Sequence, residues 1–300
     1  MKPVRLLILG AGGMLGHKLF GRISQSKAFE VYGTVRSSNS LSAFLSPALN
    51  EKIISGVDAW NFDSIIRVIS SVKPDVLINC IGIIKQLPAA RDYLSSISIN
   101  ALLPHRIAEV CQAANTRMIH ISTDCVFDGK QGNYCESDIP NPLDLYGRSK
   151  LLGEVDYPHC LTLRTSIIGH ELSGKNGLLE WFLSQKESIE GYSYHIYSGF
   201  PTVELADIIS RYIIPRTDIR GIYQISSEPV SKYELLRLIA SRYKKKIKII
   251  PNTQVYCDRS LNSSRMQKLC GYYPPSWPEL IDRMYLDYVN SPYKRIARGK

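Results

Sequence analysis

The chain contains no Cys-x-x-Cys pair. Its seven cysteines, Cys80, Cys111, Cys125, Cys135, Cys160, Cys257 and Cys270, are odd in number and scattered. That excludes a disulfide-stapled scaffold or a zinc finger and points to a reducing cytoplasm. No uncharged apolar run approaches the roughly 18 residues of a membrane span. The apolar start around Leu6 to Leu9 follows Lys2 and Arg5, as in a signal peptide. It is broken by Gly10, Gly12 and Gly13 and runs into a helical pattern with His17 and Lys18, so it is read as part of the folded protein. The six histidines form no spaced ligand set, and no metal site is expected. There is no internal repeat and no low-complexity linker. Acidic residues are in deficit, 27 against 37 Lys and Arg, for a net charge of +10. This balance favours an anionic partner: nucleic acid, a membrane surface or a phosphorylated small molecule. With 44% hydrophobic and 21% charged residues over 300 positions, the chain can bury a sizeable core in one or two domains.

The hydrophobic pattern predicts strands at residues 4–9, 29–35, 53–54, 75–80, 118–121 and 161–163. Between them, helical spacing predicts helices at 14–23, 63–72, 100–114 and 145–155. Alternating strands and helices, with strands apolar throughout, make an α/β fold whose parallel sheet is covered on both faces. Beyond Gly169 the elements shorten and Gly, Ser and Tyr increase; helices at 203–214 and 231–243 and a strand at 246–250 are expected. The chain therefore divides into a Rossmann-type doubly wound domain over 1–168, completed by a returning segment near 198–214, and a smaller α+β domain over 169–300.

Three motifs carry chemistry. Gly10-Ala11-Gly12-Gly13-Met14-Leu15-Gly16 joins the first strand to the first helix. Its glycines allow a tight turn and a close approach of a pyrophosphate, and the helix start supplies unpaired N–H groups and a positive dipole end. After the second strand come Thr34, Arg36 and Ser37, with no acid anywhere from Val31 to Ser40. An acid there would bind a ribose 2′-hydroxyl, whereas Arg36 suits a 2′-phosphate and so NADP, with NAD the other option; the plain alternative is a solvated arginine. Asp58, after the third strand, either accepts from an adenine amino group or caps a helix. Finally, Tyr146-Gly147-Arg148-Ser149-Lys150 puts a phenol and an ammonium one helical turn apart. A phenol titrates near 10, too high for acid–base work at neutral pH unless a cation stabilises the phenolate. Thr123, at the end of the strand that leads into Ser122-Thr123-Asp124, would point into the ligand crevice of an open parallel sheet.

Taken together these residues resemble an extended short-chain dehydrogenase/reductase, and within that group the dTDP-4-dehydrorhamnose reductases and their nucleotide-sugar relatives. The resemblance also rests on Asn79-Cys80-Ile81-Gly82, Cys125-Val126-Phe127-Asp128-Gly129, Asn141-Pro142-Leu143, Gly153-Glu154, Leu163-Arg164-Thr165, Gly199-Phe200-Pro201-Thr202 and Asp258-Arg259-Ser260-Leu261-Asn262-Ser263. It implies an NADPH-dependent reduction of a nucleotide-diphosphate 4-keto-6-deoxyhexose for polysaccharide precursors. Tyr146 would donate the proton, Lys150 would bind the nicotinamide ribose and lower the Tyr pKa, and Thr123 would bond the substrate oxygen. Gly10, Gly13, Met14, Leu15, Gly16, Arg36, Asp58, Cys80, Gly82, Tyr146 and Lys150 would hold the cofactor. Cys125, Trp181, Phe200, Thr202 and Arg259 are candidates for the sugar-nucleotide side.

Two departures from the family pattern flank the sugar site. Cys125 replaces the usual Tyr, and Asn79-Cys80-Ile81-Gly82 with Ile83-Ile84-Lys85-Gln86 replaces an Ala-rich turn. A dehydratase would want an Asp-Glu pair where Asp124-Cys125 stands. The remaining alternatives are an epimerase with tightly bound NAD and a non-catalytic NADP-binding regulatory subunit. Arg259 either pairs with a diphosphate or ties into the domain. The basic run Arg242 to Lys248 reads as a strand with one wet face, not a nucleic-acid patch, and the basic end of the chain as a solvated tail. Neither nucleic acid nor membrane is expected as a partner; a homodimer stays open.

Overall fold

Leu6, Leu7, Ile8 and Leu9 are all fully buried, and a strand so apolar needs cover on both faces. The computed structural model, which describes residues 2–37, 41–42 and 44–293, supplies that cover. The expected basic tail, 294–300, lies outside the described residues. Strands β1 (Val4–Leu9), β2 (Phe29–Thr34), β3 (Ile53–Ile54), β4 (Val76–Asn79), β5 (Arg117–Thr123) and β6 (Cys160–Thr165) come first in the chain. There follow β7 (Ile167–Ile168), β8 (Ile189–Tyr197), β9 (Phe200–Pro201), β10 (Gly221–Gln224), β11 (Val230–Ser231) and β12 (Ile249–Asp258). The main sheet runs β10-β6-β5-β4-β1-β2-β3, with every pairing parallel. Its order reverses between β1 and β4, which opens a crevice at their carboxyl ends.

The two faces carry separate cores. Helices Phe62–Val72 and Leu103–Ala113 bury Ile65, Ile69, Ile107 and Ala108 on one face. On the other, helix Met14–Ile23 buries Leu15, Leu19, Phe20 and Ile23. That helix also buries His17 and Lys18: His17 is bonded to the Tyr293 hydroxyl at 2.6 Å, and Lys18 lies against Phe44 and Tyr293 while pairing at 2.6 Å with Asp287 of helix Trp277–Asn290. The expected helix at 100–114 begins earlier, as a π-turn over Ser96–Leu102. The expected strand at 246–250 starts only at Ile249 and runs on to Asp258, although Lys244, Lys246 and Lys248 do alternate with half-buried neighbours.

The division at residue 168 is less clean in space than in sequence. Helix Thr202–Ile208 packs on helix Met14–Ile23, and β10 extends the main sheet as its edge beside β6. What stands apart is a three-stranded sheet, β11-β8-β12, backed by helix Lys232–Arg242. The pattern did not flag helix Trp277–Asn290, although Ser276 and Glu279 form a capping box and Pro278 occupies its first turn. No helix among the described residues is long and apolar enough to cross a membrane.

A buried ion pair ties the sheet to the helix behind it. Arg164 on β6 donates twice to Glu154, at 2.8 and 2.7 Å, and Ser122 on β5 adds a third bond at 2.7 Å. Both charged side chains are under 5% exposed. Removing one partner of such a pair costs about 3–5 kcal/mol, because the other charge is left stranded. Glu154→Ala should lower unfolding stability by that amount in urea titration; an unchanged midpoint would show that Arg164 finds another partner.

Candidate active site

The crevice holds a cleft of about 660 Å³ lined by the glycine turn, the Ser122-Thr123-Asp124 strand end and the Tyr146–Lys150 pair. Gly10, which does not itself line the cleft, turns the chain out of β1 with φ 81°, a value that L side chains resist. A Cβ there would lie 3.2 Å from the Cys80 carbonyl carbon, so the ends of β1 and β4 abut directly. Gly13 precedes helix Met14–Ile23 with no side-chain cap, and Gly12, Gly13, Met14, Leu15 and Gly16 face the cleft. This uncapped, side-chain-free cradle at a helix start fits the pyrophosphate of a dinucleotide. Cys80 and Gly82 line the opposite wall, and burial pushes the Cys80 thiol up to about 12.

Arg36 does not line the cleft. It is exposed at the tip of β2, two residues past Thr34, whose carbonyl and hydroxyl accept from the Ala11 and Gly10 N–H groups. Asp58 does not reach the cleft either: its carboxylate accepts from the Trp60 N–H, closing a local turn, and the cap position of the following helix is Asn61.

Tyr146 and Lys150 stand on helix Leu145–Leu152, capped by Asp144, which accepts from the Gly147 N–H at 2.8 Å. Gly147 is the contact point. A Cβ there would strike the Cys125 carbonyl oxygen, so only glycine lets this helix lie against the turn that follows β5. That approach brings Tyr146, Thr123 and Cys125 together. Burial raises the Tyr146 pKa and the neighbouring Cys125 adds to it, while a hydrogen bond with the Thr123 hydroxyl works the other way. The sequence expectation that Lys150 lowers this pKa is not met. The Lys150 Nζ is directed beneath the helix, donating to the Ile121 carbonyl at 2.7 Å and lying 3.5 Å from His120 Nε2. Burial itself brings Lys150 down to about 8, against the pull of Glu154. Thr123 accepts from the Cys125 N–H and donates to Asp124, both at 3.1 Å.

On the substrate side the structure brings in Cys125 and Arg259 and leaves out three candidates. Trp181 is on the outer face of helix Leu178–Ser184, 39% exposed, because Leu179 and Phe182 take the core; Leu178 lines the cleft instead. Phe200 is fully buried in the core, and Thr202 is packed beneath Gly169. Arg259 bonds to backbone, its Nε donating to the Phe127 carbonyl at 2.8 Å, rather than to a carboxylate. Three further basic residues converge beside it: Lys85, from the run after Gly82 already noted as a departure, and His195 and Lys232, which the motifs did not single out. Lys85 is held by Asp144 at 2.6 Å. Burial lowers Lys232 despite Asp124, and takes His195 to about 3 with Lys232, Arg259 and Lys85 all contributing. His195 in β8 and Lys232 at the start of its helix carry no local pattern; only the packing of the small sheet over the cleft reveals them.

The profile of the family described as "RmlD substrate binding domain" matches residues 4–289. The chain is 33% identical over 241 residues to dTDP-4-dehydrorhamnose reductase from Aggregatibacter actinomycetemcomitans, covering 77% of this chain and 76% of that protein. It is 25% identical over 320 aligned positions to methionine adenosyltransferase 2 subunit beta from Bos taurus, covering 95% and 91%. A crystal structure of dTDP-4-dehydrorhamnose reductase from Bacillus anthracis in complex with NADP superposes with a TM-score of 0.77 at 24% identity, over 95% of this chain and 99% of that one.

Cys125 faces the cleft as a thiol, since burial and Asp124 push it up to about 12. An ordinary cysteine titrates near 8.5, and only the thiolate reacts. Iodoacetamide at about pH 8 should therefore leave Cys125 largely unmodified in site-resolved mass spectrometry, with its rate still climbing well above that pH. A rate that levels off near pH 9 would contradict this.

Proposed function

Because the chain belongs to the RmlD substrate binding domain family, we propose that it is an NADPH-dependent oxidoreductase that reduces the C4 carbonyl of a nucleotide-diphosphate 4-keto-6-deoxyhexose. The observation that carries this reading is that Thr123, Tyr146 and Lys150 line one cleft with the uncapped glycine turn. NADPH, when bound, supplies the hydride. The glycine turn and the start of helix Met14–Ile23 bind its pyrophosphate, and Arg36 beside that turn takes the 2′-phosphate.

Tyr146 gives its proton to the oxygen of the sugar carbonyl as negative charge builds there. Burial keeps Tyr146 a phenol, so the proton is present but held tightly, and its release needs a cation to stabilise the phenolate. Thr123 donates to the same oxygen after turning from Asp124. Lys150 bonds the nicotinamide ribose and, as a cation, steadies Tyr146 once the proton has left. Lys232 and Arg259 bind the substrate diphosphate; neither forms an ion pair with a carboxylate among the described residues, and Arg in particular favours bidentate phosphate contacts. A cytoplasmic enzyme of precursor synthesis fits seven cysteines that are all unpaired.

A second reading, a non-catalytic NADP-binding regulatory subunit, is favoured by the nearly full-length similarity to a methionine adenosyltransferase subunit. Turnover of dTDP-, UDP- and GDP-linked 4-keto sugars with NADPH separates the two. One substrate should be reduced by the wild type, and Tyr146→Phe should lower kcat about a hundredfold or more while NADPH still binds. No turnover across the panel, or a Tyr146→Phe protein as fast as wild type, rejects the reductase.

Arg36→Ala tests the cofactor. A charge-assisted bond contributes roughly 1.5–3 kcal/mol. KM for NADPH should then rise about tenfold or more, with that for NADH barely moved. Equal responses to the two cofactors would leave Arg36 a surface residue.

A further inference from the structure

A line of buried polar groups runs beneath the cleft, below the Tyr146–Lys150 pair. The Ile81 N–H donates to Asn79 Oδ1 at 3.1 Å, which fixes the orientation of that amide. Asn79 Nδ2 must then be the group facing His120 Nδ1 at 3.1 Å, and it is a donor. His120 Nδ1 is therefore the acceptor of the ring. His120 is fully buried and kept neutral, its pKa held well below the ordinary value by burial and by Lys150 and His105. A neutral imidazole carries one proton, so that proton is on Nε2, the atom 3.5 Å from Lys150 Nζ.

An ammonium has three donors and no lone pair. Facing an Nε2–H it gains nothing and is repelled, whereas the neutral amine can accept from it while still donating to the Ile121 carbonyl. We propose that His120 is a positioning residue: locked by Asn79 into the Nε2–H tautomer, it holds Lys150 as the neutral amine and releases it toward the cleft when Nζ takes up a proton. The separation from His120 is long for a hydrogen bond, so the bond to the Ile121 carbonyl is the one that movement of Nζ has to break. The other groups facing Nζ are Cys80 at the end of β4, kept a neutral thiol by burial, and the Glu154 carboxylate past the end of its own helix, which favours the cation. Burial opposes that carboxylate, and the balance brings Lys150 to about 8, close enough to neutrality for both forms to be populated. The functional meaning of this switch rests on the role of Lys150 proposed above. Its physical content does not, and it is tested without substrate.

Protein labelled with nitrogen-15 in histidine and carbon-13 in lysine gives both readouts by NMR, with His120→Gln used to assign the signals. The expected result is a neutral His120 protonated on Nε2 from about pH 6 to 9, with Lys150 titrating near 8. In Asn79→Asp the carboxylate accepts from Nδ1, so Nε2 becomes an acceptor for the ammonium. The Lys150 midpoint should then rise by a pH unit or more as the tautomer reverses. Should that variant fail to fold, His120→Gln presents an amide oxygen to Nζ and should move the midpoint the same way. Protonation of wild-type His120 on Nδ1, an imidazolium in that pH range, or a Lys150 midpoint unmoved in a folded variant overturns the proposal. Absence of sugar reduction would overturn the reading of the previous section and leave these measurements standing.

Discussion

The site depends on one place where backbone meets backbone. At Gly147 a helix lies on the Cys125 carbonyl with no side chain between them. A parallel sheet ordinarily keeps its helices a side chain's length away, and the loops at its carboxyl edge are left to bridge the gap. Here the gap is closed for one turn of helix, and the tyrosine one residue before that contact is brought against the threonine at the end of β5. The other end of the same helix is pinned in the same manner: Gly153 abuts the Asn100 carbonyl. That carbonyl belongs to the π-turn Ser96–Leu102, and Asn100 in turn bonds both the N–H and the carbonyl of Ile83. Cleft wall, π-turn and helix are one rigid assembly.

Rigid placement has an electrostatic side. Burial acts in opposite senses on an acid and a base: it raises Tyr146 and lowers Lys150, so each is pushed toward its neutral form. The two respond unequally: the phenol is uncharged at neutral pH, while a lysine brought to about 8 still carries its proton in most molecules and reaches the neutral amine as the pH rises. The cationic groups on the far wall differ. Lys232 and Arg259 are on separate elements of the same lobe, one at the start of the small sheet's helix and one past the end of β12, so an anion bridging them would be gripped by that lobe.

The large sheet was legible because its strands are apolar on both faces and its helices keep a 3.6-residue period; β1, β2, β4, β5 and β6 can be read from Leu6, Val31, Ile78, Ile119 and Leu163. The glycine turn and the Tyr146–Lys150 spacing were legible because each is a contiguous motif whose chemistry depends on local spacing. What the pattern could not carry is direction. Trp181 and Phe200 are the residue types that bind sugars and nucleotides, but an aromatic beside a core is first a core residue, and the helix phase that turns Trp181 outward is set by Leu179 and Phe182. His195, Lys232 and His120 act through neighbours distant in sequence, and a strand histidine carries no sign of what the next strand places beside it. The charge balance of +10 pointed to an anion, but which cations meet it was decided by the packing of the second sheet.

The pairing of Lys18 with Asp287 joins helix Met14–Ile23 to the last helix among the described residues. A cation this buried is left stranded if its carboxylate is withdrawn. Fraying of helix Trp277–Asn290 would thus carry a cost at helix Met14–Ile23, whose start borders the cleft, so a distant segment acts as a clasp on the wall of the site.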